Sequence, residues 1–417
     1  MKLSYCMAAV VLALALPAAA LEPVDAQLDS LLAGAAQNNP DVQAARRETN
    51  AARSRISPAG ALDDPMLEVG VLNYPVDSRS FKTEDMTMKM IGFAQRLPYP
   101  GKRALRRELA EQEALAVEAN LQELVNRVRR DVKVAYFDLG YVDESLRLAE
   151  RNRRILEQYL SIAEARYGVG QGTQADVLKA QTQVSKMREE LIKLGRERPM
   201  LEAELNRAAG RAAEPGAISP PPAQARDVAL ALENLRTVAR ESRPQLAAQL
   251  GMIGRSAKAL ELARKDYYPD FDVRVSYGQR DNSQDMRRED MISFTVAINL
   301  PVWRESKRDP RVAEAEAMRE QATAMYQARL NELDAMLRQQ VAAAEQSLKS
   351  VRLYETGLLP QARLTADASL AAYRVGRVDF FSLLDSRMTV FNAEVGYAAS
   401  LAAYNKALAE IEFLVGK

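Results

Sequence analysis

Asp270–Tyr277 reads DFDVRVSY and Ile292–Leu300 reads ISFTVAINL. Successive side chains of an extended chain point to opposite faces. The first stretch therefore puts Phe271, Val273, Val275 and Tyr277 on one face and Asp272, Arg274 and Ser276 on the other. The second puts Ile292, Phe294, Val296, Ile298 and Leu300 opposite Ser293, Thr295, Ala297 and Asn299. Apolar-out, polar-in alternation over a short run is the pattern of a transmembrane β-barrel strand. The segments GQRDNSQDMRRED (278–290) and NYPVDSRSFKTED (73–85) are charged and polar, as water-exposed loops would be. Tyr99, Tyr267, Tyr268 and Trp303 stand at the opposite strand ends, where an aromatic belt would sit. Four strands cannot close a barrel without leaving edges in lipid, so several protomers must share one.

Around these strands the sequence is helical. Leu105–Arg166 contains no proline, and from Leu121 its apolar residues keep a seven-residue beat. One series is Leu121, Val128, Ala135, Val142, Ala149 and Leu156; its companion is Val125, Val132, Leu139 and Leu146, broken at Arg153 before Leu160. A seam of this period predicts coiled-coil packing with left-handed supercoiling. A second helix carries Leu330, Leu337, Ala344 and Val351 in the same way. At 1.5 Å per residue, such helices make rods of about 100 Å.

The chain repeats itself at a spacing of about 200 residues. LDSLLAGAAQNNP at Leu28 matches LENLRTVARESRP at Leu232, and Pro65 and Pro98 find counterparts in Pro269 and Pro301. YGVGQGTQADVL at Tyr167 is echoed by YRVGRVDFFSLL at Tyr373. The expected organisation is a first repeat over 21–211, a Pro-rich linker over 212–227 and a second repeat over 228–417. Strands are expected at 66–74, 86–97, 271–279 and 291–300, and long helices at 101–166, 173–210, 305–373 and 379–415. Residues 1–20, with basic Lys2, apolar Met7–Leu16 and small residues Ala18 and Ala20, read as a secretory signal.

Composition narrows the chemistry. Lys and Arg number 57 against 56 Asp and Glu, which argues against a nucleic-acid partner. There is no histidine and one cysteine, Cys6, inside the expected signal. Imidazole bases, Cys-His pairs and nearly every zinc site are thereby removed. Asp63–Asp64 is the most suggestive acidic pair for an enzyme, yet before Pro65 it reads more simply as a turn. No enzyme activity and no cofactor are expected. In MTMKM, Met86, Met88 and Met90 would share one strand face; aligning the repeats sets Met90 beside the polar Ser293 position. Thioethers there would suit a soft ion such as Cu(I) or Ag(I), or would simply fill space.

In the two echoed stretches, Gly168, Gly170, Gly172 and Gly376 would supply the φ freedom of a reversal, and Thr173 and Asp379 would cap the departing helices. Together with NPDVQAA at Asn39, LPYPGKR at Leu97, ARYGVGQGTQADVLKAQTQV at Ala165 and AAYRVGRVDFFSLLDSRMTV at Ala371, they make the mature chain resemble the TolC-like outer-membrane efflux factors. DDPMLEVGVLNYPVD and MTMKMIGFAQRLPYPGKR look most like the heavy-metal branch of that family. The resemblance implies a mainly α protein with a small antiparallel β part. It implies a homotrimer with a twelve-stranded outer-membrane barrel continued by a periplasmic α-helical barrel. The partners it implies are a periplasmic adaptor (membrane fusion) protein, an inner-membrane pump of the resistance-nodulation-division type and outer-membrane lipid. It also places Tyr167, Asp176, Tyr373, Arg377 and Asp379 at the periplasmic aperture, although the arginine falls one place earlier than in the family pattern. The alternative reading is a soluble periplasmic coiled-coil adaptor or scaffold, which leaves the alternating strands without a purpose.

Overall fold

The computed structural model describes residues 25–212, 218–226, 228–283 and 286–417. The expected signal at 1–20 lies outside the described residues, as does part of the expected linker. Elements follow in the order α1 (Ala26–Asn38), α2 (Pro40–Ala59), β1 (Met66–Leu72), β2 (Met88–Leu97), α3 (Lys102–Gly168) and α4 (Gln174–Ala208). After the connection come α5 (Leu232–Ser242), α6 (Pro244–Lys265), β3 (Phe271–Gln279) and β4 (Met291–Ile298). The chain ends with α7 (Asp309–Leu353), α8 (Leu359–Arg374) and α9 (Phe380–Leu414).

Each element starts and stops for a local reason. Asn39 ends α1 and caps α2, its side-chain oxygen accepting from the amide of Asp41 at 2.9 Å, and Pro40 occupies the first helical turn, where a missing N–H costs nothing. Helix α3 runs 67 residues, about 100 Å. Along it Val128, Val132, Ala135, Leu139, Val142, Ala149 and Leu156 are all buried. In its distal half this seam packs on Ala180, Val184 and Met187 of α4 and on Phe380 and Leu383 of α9; nearer its middle it packs on Leu31, Val42, Leu205 and Ile218. Arg153, where the companion series breaks, stays half-buried by pairing with Glu150 and Glu157, each at 2.6 Å.

Two features differ from the simplest reading of the sequence. The helix expected over 305–373 opens on a π-helical turn at Arg304–Arg308 and is divided by a second at Tyr354–Leu358. Each is followed two residues later by proline, Pro310 or Pro360, which cannot donate to the preceding turn. At the second, Gly396 of α9 makes room for Tyr354, whose hydroxyl would collide with any β-carbon there. The described part of 212–227 is no loose tether. Ile218 is buried and its carbonyl accepts from Arg198 at 2.9 Å; the Gln224 carbonyl accepts from Asn405 at 3.1 Å, and the Arg226 carbonyl from the Tyr404 hydroxyl. The segment is bound to both long hairpins.

The four strands form one antiparallel sheet in the order β1-β2-β3-β4, so β1 and β4 are its edges. Register places Val69, Ile91, Tyr277 and Ile292 in one cross-strand row and Leu67, Phe93, Val275 and Phe294 in another. This face is apolar and bare: Val69 and Ile292 are each 77 % exposed and Phe294 68 %. The opposite face carries Glu68, Arg274, Ser276, Ser293 and Thr295, with Arg274 paired to Glu68 at 2.9 Å. Where sheet meets helices, Tyr99 and Tyr268 stack at 4.5 Å, and buried Lys102 pairs with Asp266 at 3.2 Å and Asp270 at 3.0 Å. No described helix is long and apolar enough to cross a membrane.

Candidate functional site

The far ends of the two long hairpins are built alike. At the end of α3 the amide of Gly170 donates to the Tyr167 carbonyl at 3.0 Å and that of Gln171 to Arg166 at 2.8 Å. At the end of α8 the amide of Gly376 donates to Tyr373 at 3.0 Å and that of Arg377 to Ala372 at 2.9 Å. Both are Schellman caps, which need a residue in the left-handed region; Gly170 (φ 72°) and Gly376 (φ 73°) supply it. The other two glycines do not serve as expected. Gly168 is the last residue of α3 with ordinary helical backbone and open space around it. Gly172 has no positive φ either; a β-carbon there would lie only 3.2 Å from the Arg166 β-carbon and the Tyr167 amide nitrogen.

The departing helices are capped by side chains. Thr173 and Asp176 form a reciprocal capping box at 3.2 Å each way, and Asp379 accepts from the Ser382 amide at 2.7 Å. That amide holds the Asp379 carboxyl below the usual carboxylate range. Both aspartates are thus committed to helix starts. Tyr167 and Arg377 are exposed, and Arg377 makes no ion pair among the described residues. Tyr373, in contrast, is buried against Phe380, ring centres 5.3 Å apart; burial pushes its hydroxyl above the ordinary tyrosine value, and that hydroxyl has no partner among the described residues.

Sequence reasoning missed the residue that joins the two tips. The Arg166 guanidinium lies 4.7 Å from the Tyr373 ring centre, donates to the Tyr373 carbonyl, and donates to the Gln171 carbonyl at 3.2 Å. Its counterpart in the echoed stretch is Ala372, an asymmetry visible in the sequence once the turns are superposed. Within one protomer, Tyr373, Arg377, Asp176 and Asp379 do not form a mutual set of contacts; Arg166 and Tyr373 do.

The methionines are also rearranged. Strand β2 begins at Met88, so Met86 sits in the preceding turn, half exposed, and does not share the strand face. Met88 and Met90 lie on the polar face, and the register adds Met291 to that face through Gly278. Asp63 and Asp64 are exposed in the irregular segment before β1, with the Asp63 carbonyl accepting from Gln95 at 2.8 Å. Among the described residues no group of three or more His, Cys, Asp or Glu side chains is placed to hold a metal ion.

Comparison with known proteins follows the same outline. The family model described as "Outer membrane efflux protein" matches residues 31–211 and 235–417. The chain is 24 % identical over 395 residues to the cobalt-zinc-cadmium resistance protein CzcC of Cupriavidus metallidurans, covering 94 % of this chain and 90 % of that protein. In fold it is similar to the outer membrane protein VceC of Vibrio cholerae (TM-score 0.79, 17 % identity, 94 % and 96 % of the two chains). It is equally similar to CusC, a protein described as forming a transmembrane channel (TM-score 0.79, 15 % identity, 94 % and 92 % covered).

Proposed function

The chain belongs to the outer membrane efflux protein family, and from that premise we propose that it is the passive exit duct of a tripartite efflux system. Three copies would pool their sheets into a twelve-stranded outer-membrane barrel, and their long hairpins would continue it as an α-helical barrel across the periplasm. The observation that carries this is the sheet: four strands, one bare apolar face and two unpaired edges. A sheet of this kind is stable in lipid only when its edges are closed, and pairing β4 of one copy with β1 of the next closes them. The polar face then lines the lumen, Tyr99, Tyr268 and Trp303 form the interfacial belt, and the loops after β1 and β3 face outward.

The hairpin tips would form the periplasmic aperture and meet an adaptor protein, itself joined to an inner-membrane pump of the resistance-nodulation-division type. Tyr167, Gly168, Gly170, Gly172, Thr173, Asp176, Tyr373, Gly376, Arg377 and Asp379 all lie at these tips. The likeness to a cobalt-zinc-cadmium resistance protein favours heavy-metal ions as cargo, and the methionines on the polar face favour copper or silver among them. Fractionation of expressing cells, followed by sizing of the detergent-extracted protein, tests the duct. An outer-membrane species near three times the 46.2 kDa chain is expected; a soluble periplasmic species would return the adaptor or scaffold reading.

A further inference from the structure

Five methionines lie near the outward end of the sheet, Met86, Met88, Met90, Met286 and Met291, and the register sorts them. Met90 pairs with Gly278 across β2 and β3, and Gly278 pairs with Met291 across β3 and β4. Opposed residues of antiparallel strands share a face, with neighbouring strands about 4.8 Å apart. Met90 and Met291 therefore flank a position with no side chain of its own. Met88, two residues before Met90 and on the same face, fills that gap: its sulfur lies where a β-carbon on Gly278 would collide with it. Met88 is 7 % exposed and Met291 39 %. Met86 and Met286 lie outside the strands, in the segments before β2 and before β4, and both are exposed.

The surroundings are short of competing donors. The row through Gly278 begins at Gly70, and the row through Met88 begins at Leu72. The nearest carboxylate along β1 on this face, Glu68, is already paired with Arg274. Hard and borderline cations need oxygen or nitrogen ligands, which these rows lack, whereas thioethers select soft monovalent ions. Three flexible thioethers grouped on one face around a glycine, with the Met88 sulfur lying over it, suit one soft ion.

We propose that Met88, Met90 and Met291 form a thioether site for Cu(I) or Ag(I) on the lumen face of each protomer, with Gly278 as its floor. The inference rests on the duct reading for its place in the lumen, and gives that duct an exit station for soft-metal cargo. The site differs from the three-methionine strand face read from the sequence, since it excludes Met86 and draws its third ligand from β4.

The test is a silver nitrate titration of the detergent-extracted protein, whose one cysteine, Cys6, lies in the expected signal, with methionine methyl groups labelled for NMR. One Ag(I) per protomer should shift the methyl signals of Met88, Met90 and Met291 together, and zinc or cobalt salts should not. Leucine at all three positions keeps the volume and should weaken Ag(I) binding at least 100-fold, while M86L and M286L leave it unchanged. Gly278→Ala keeps every sulfur and displaces the Met88 side chain, so about tenfold weakening is expected. Unaltered affinity in the triple variant, or equal shifts at Met86 and Met286, would overturn the site. The titration needs neither pump nor membrane, so failure of the site and failure of the duct are read in separate experiments.

Discussion

Arg166 and Tyr373 stand 207 positions apart in sequence and join the two hairpin tips: the guanidinium covers the phenol ring at 4.7 Å and donates to the carbonyl of the same residue. One side chain thus spans from the end of α3 to the end of α8, whose separation would widen the proposed aperture. A partly desolvated cation–π contact contributes about 0.5–2 kcal/mol, and a charge-assisted hydrogen bond about 1.5–3 kcal/mol. Replacing Arg166 by alanine, the residue its counterpart Ala372 already is, should loosen the tips without disturbing the sheet. The expected result is higher single-channel conductance in planar bilayers, with R166K intermediate because lysine keeps the charge and loses the planar fork. Unchanged conductance in R166A would remove Arg166 from the aperture.

Gly170 and Gly168 of the first tip differ in what an added methyl group would meet. At Gly170 an alanine must adopt a left-handed backbone, a cost of roughly 1–2 kcal/mol, and Gly376 is in the same position. At Gly168 the backbone is helical and a methyl group meets nothing within 4 Å, so alanine there should be neutral or stabilising by up to about 1 kcal/mol. Thermal unfolding of the three single variants is expected to show lower Tm for G170A and G376A and equal or higher Tm for G168A.

What could be read from the chain and what could not divides along the range of the interactions. Period two in ISFTVAINL and period seven along α3 are local properties, and the register and the buried seam follow them. The left-handed glycines are local too, although sequence offers no way to tell Gly170 from Gly168 without knowing where the helix stops. Arg166 over Tyr373, Met291 beside Met90, and Ile218 sealed against α3 depend on which hairpin or strand lies alongside which. Periodicity carries no such information. The π turn at Tyr354 draws on both ranges: Pro360 stands in the sequence, whereas Gly396, which makes room for the Tyr354 ring, lies on the opposing helix.

The bare face of the sheet makes a prediction about lipid. Phe294 points to the apolar side and its neighbour Thr295 to the polar side. If the apolar face meets hydrocarbon, arginine at 294 should destabilise by about 2–4 kcal/mol near the bilayer midplane, while arginine at 295 meets water in the lumen. Outer-membrane yield of F294R should fall sharply against T295R. Equal yields of the two would mean that this face does not contact lipid.

The Asp379 cap gives a pH dependence whose sign can be worked out. Its carboxyl titrates below the ordinary aspartate value because the ionised form accepts the Ser382 amide and stands at a helix start. A folded-state pKa below the unfolded one means that the unfolded chain binds the proton more readily, so the stabilisation is complete above the unfolded value, about 4. It is lost as pH falls through the lower folded value. Asparagine at 379 keeps a capping oxygen and removes the charge. Wild type should therefore exceed D379N in Tm by a constant margin from pH 5 upward, on the order of a few degrees or less, and the margin should close below about pH 4. Alanine at 379 should lower Tm at every pH, because the cap itself is gone. Thermal scans of the three proteins between about pH 3 and 7 read both effects. A D379N margin independent of pH would mean that the carboxylate acts at this tip only as a hydrogen-bond acceptor.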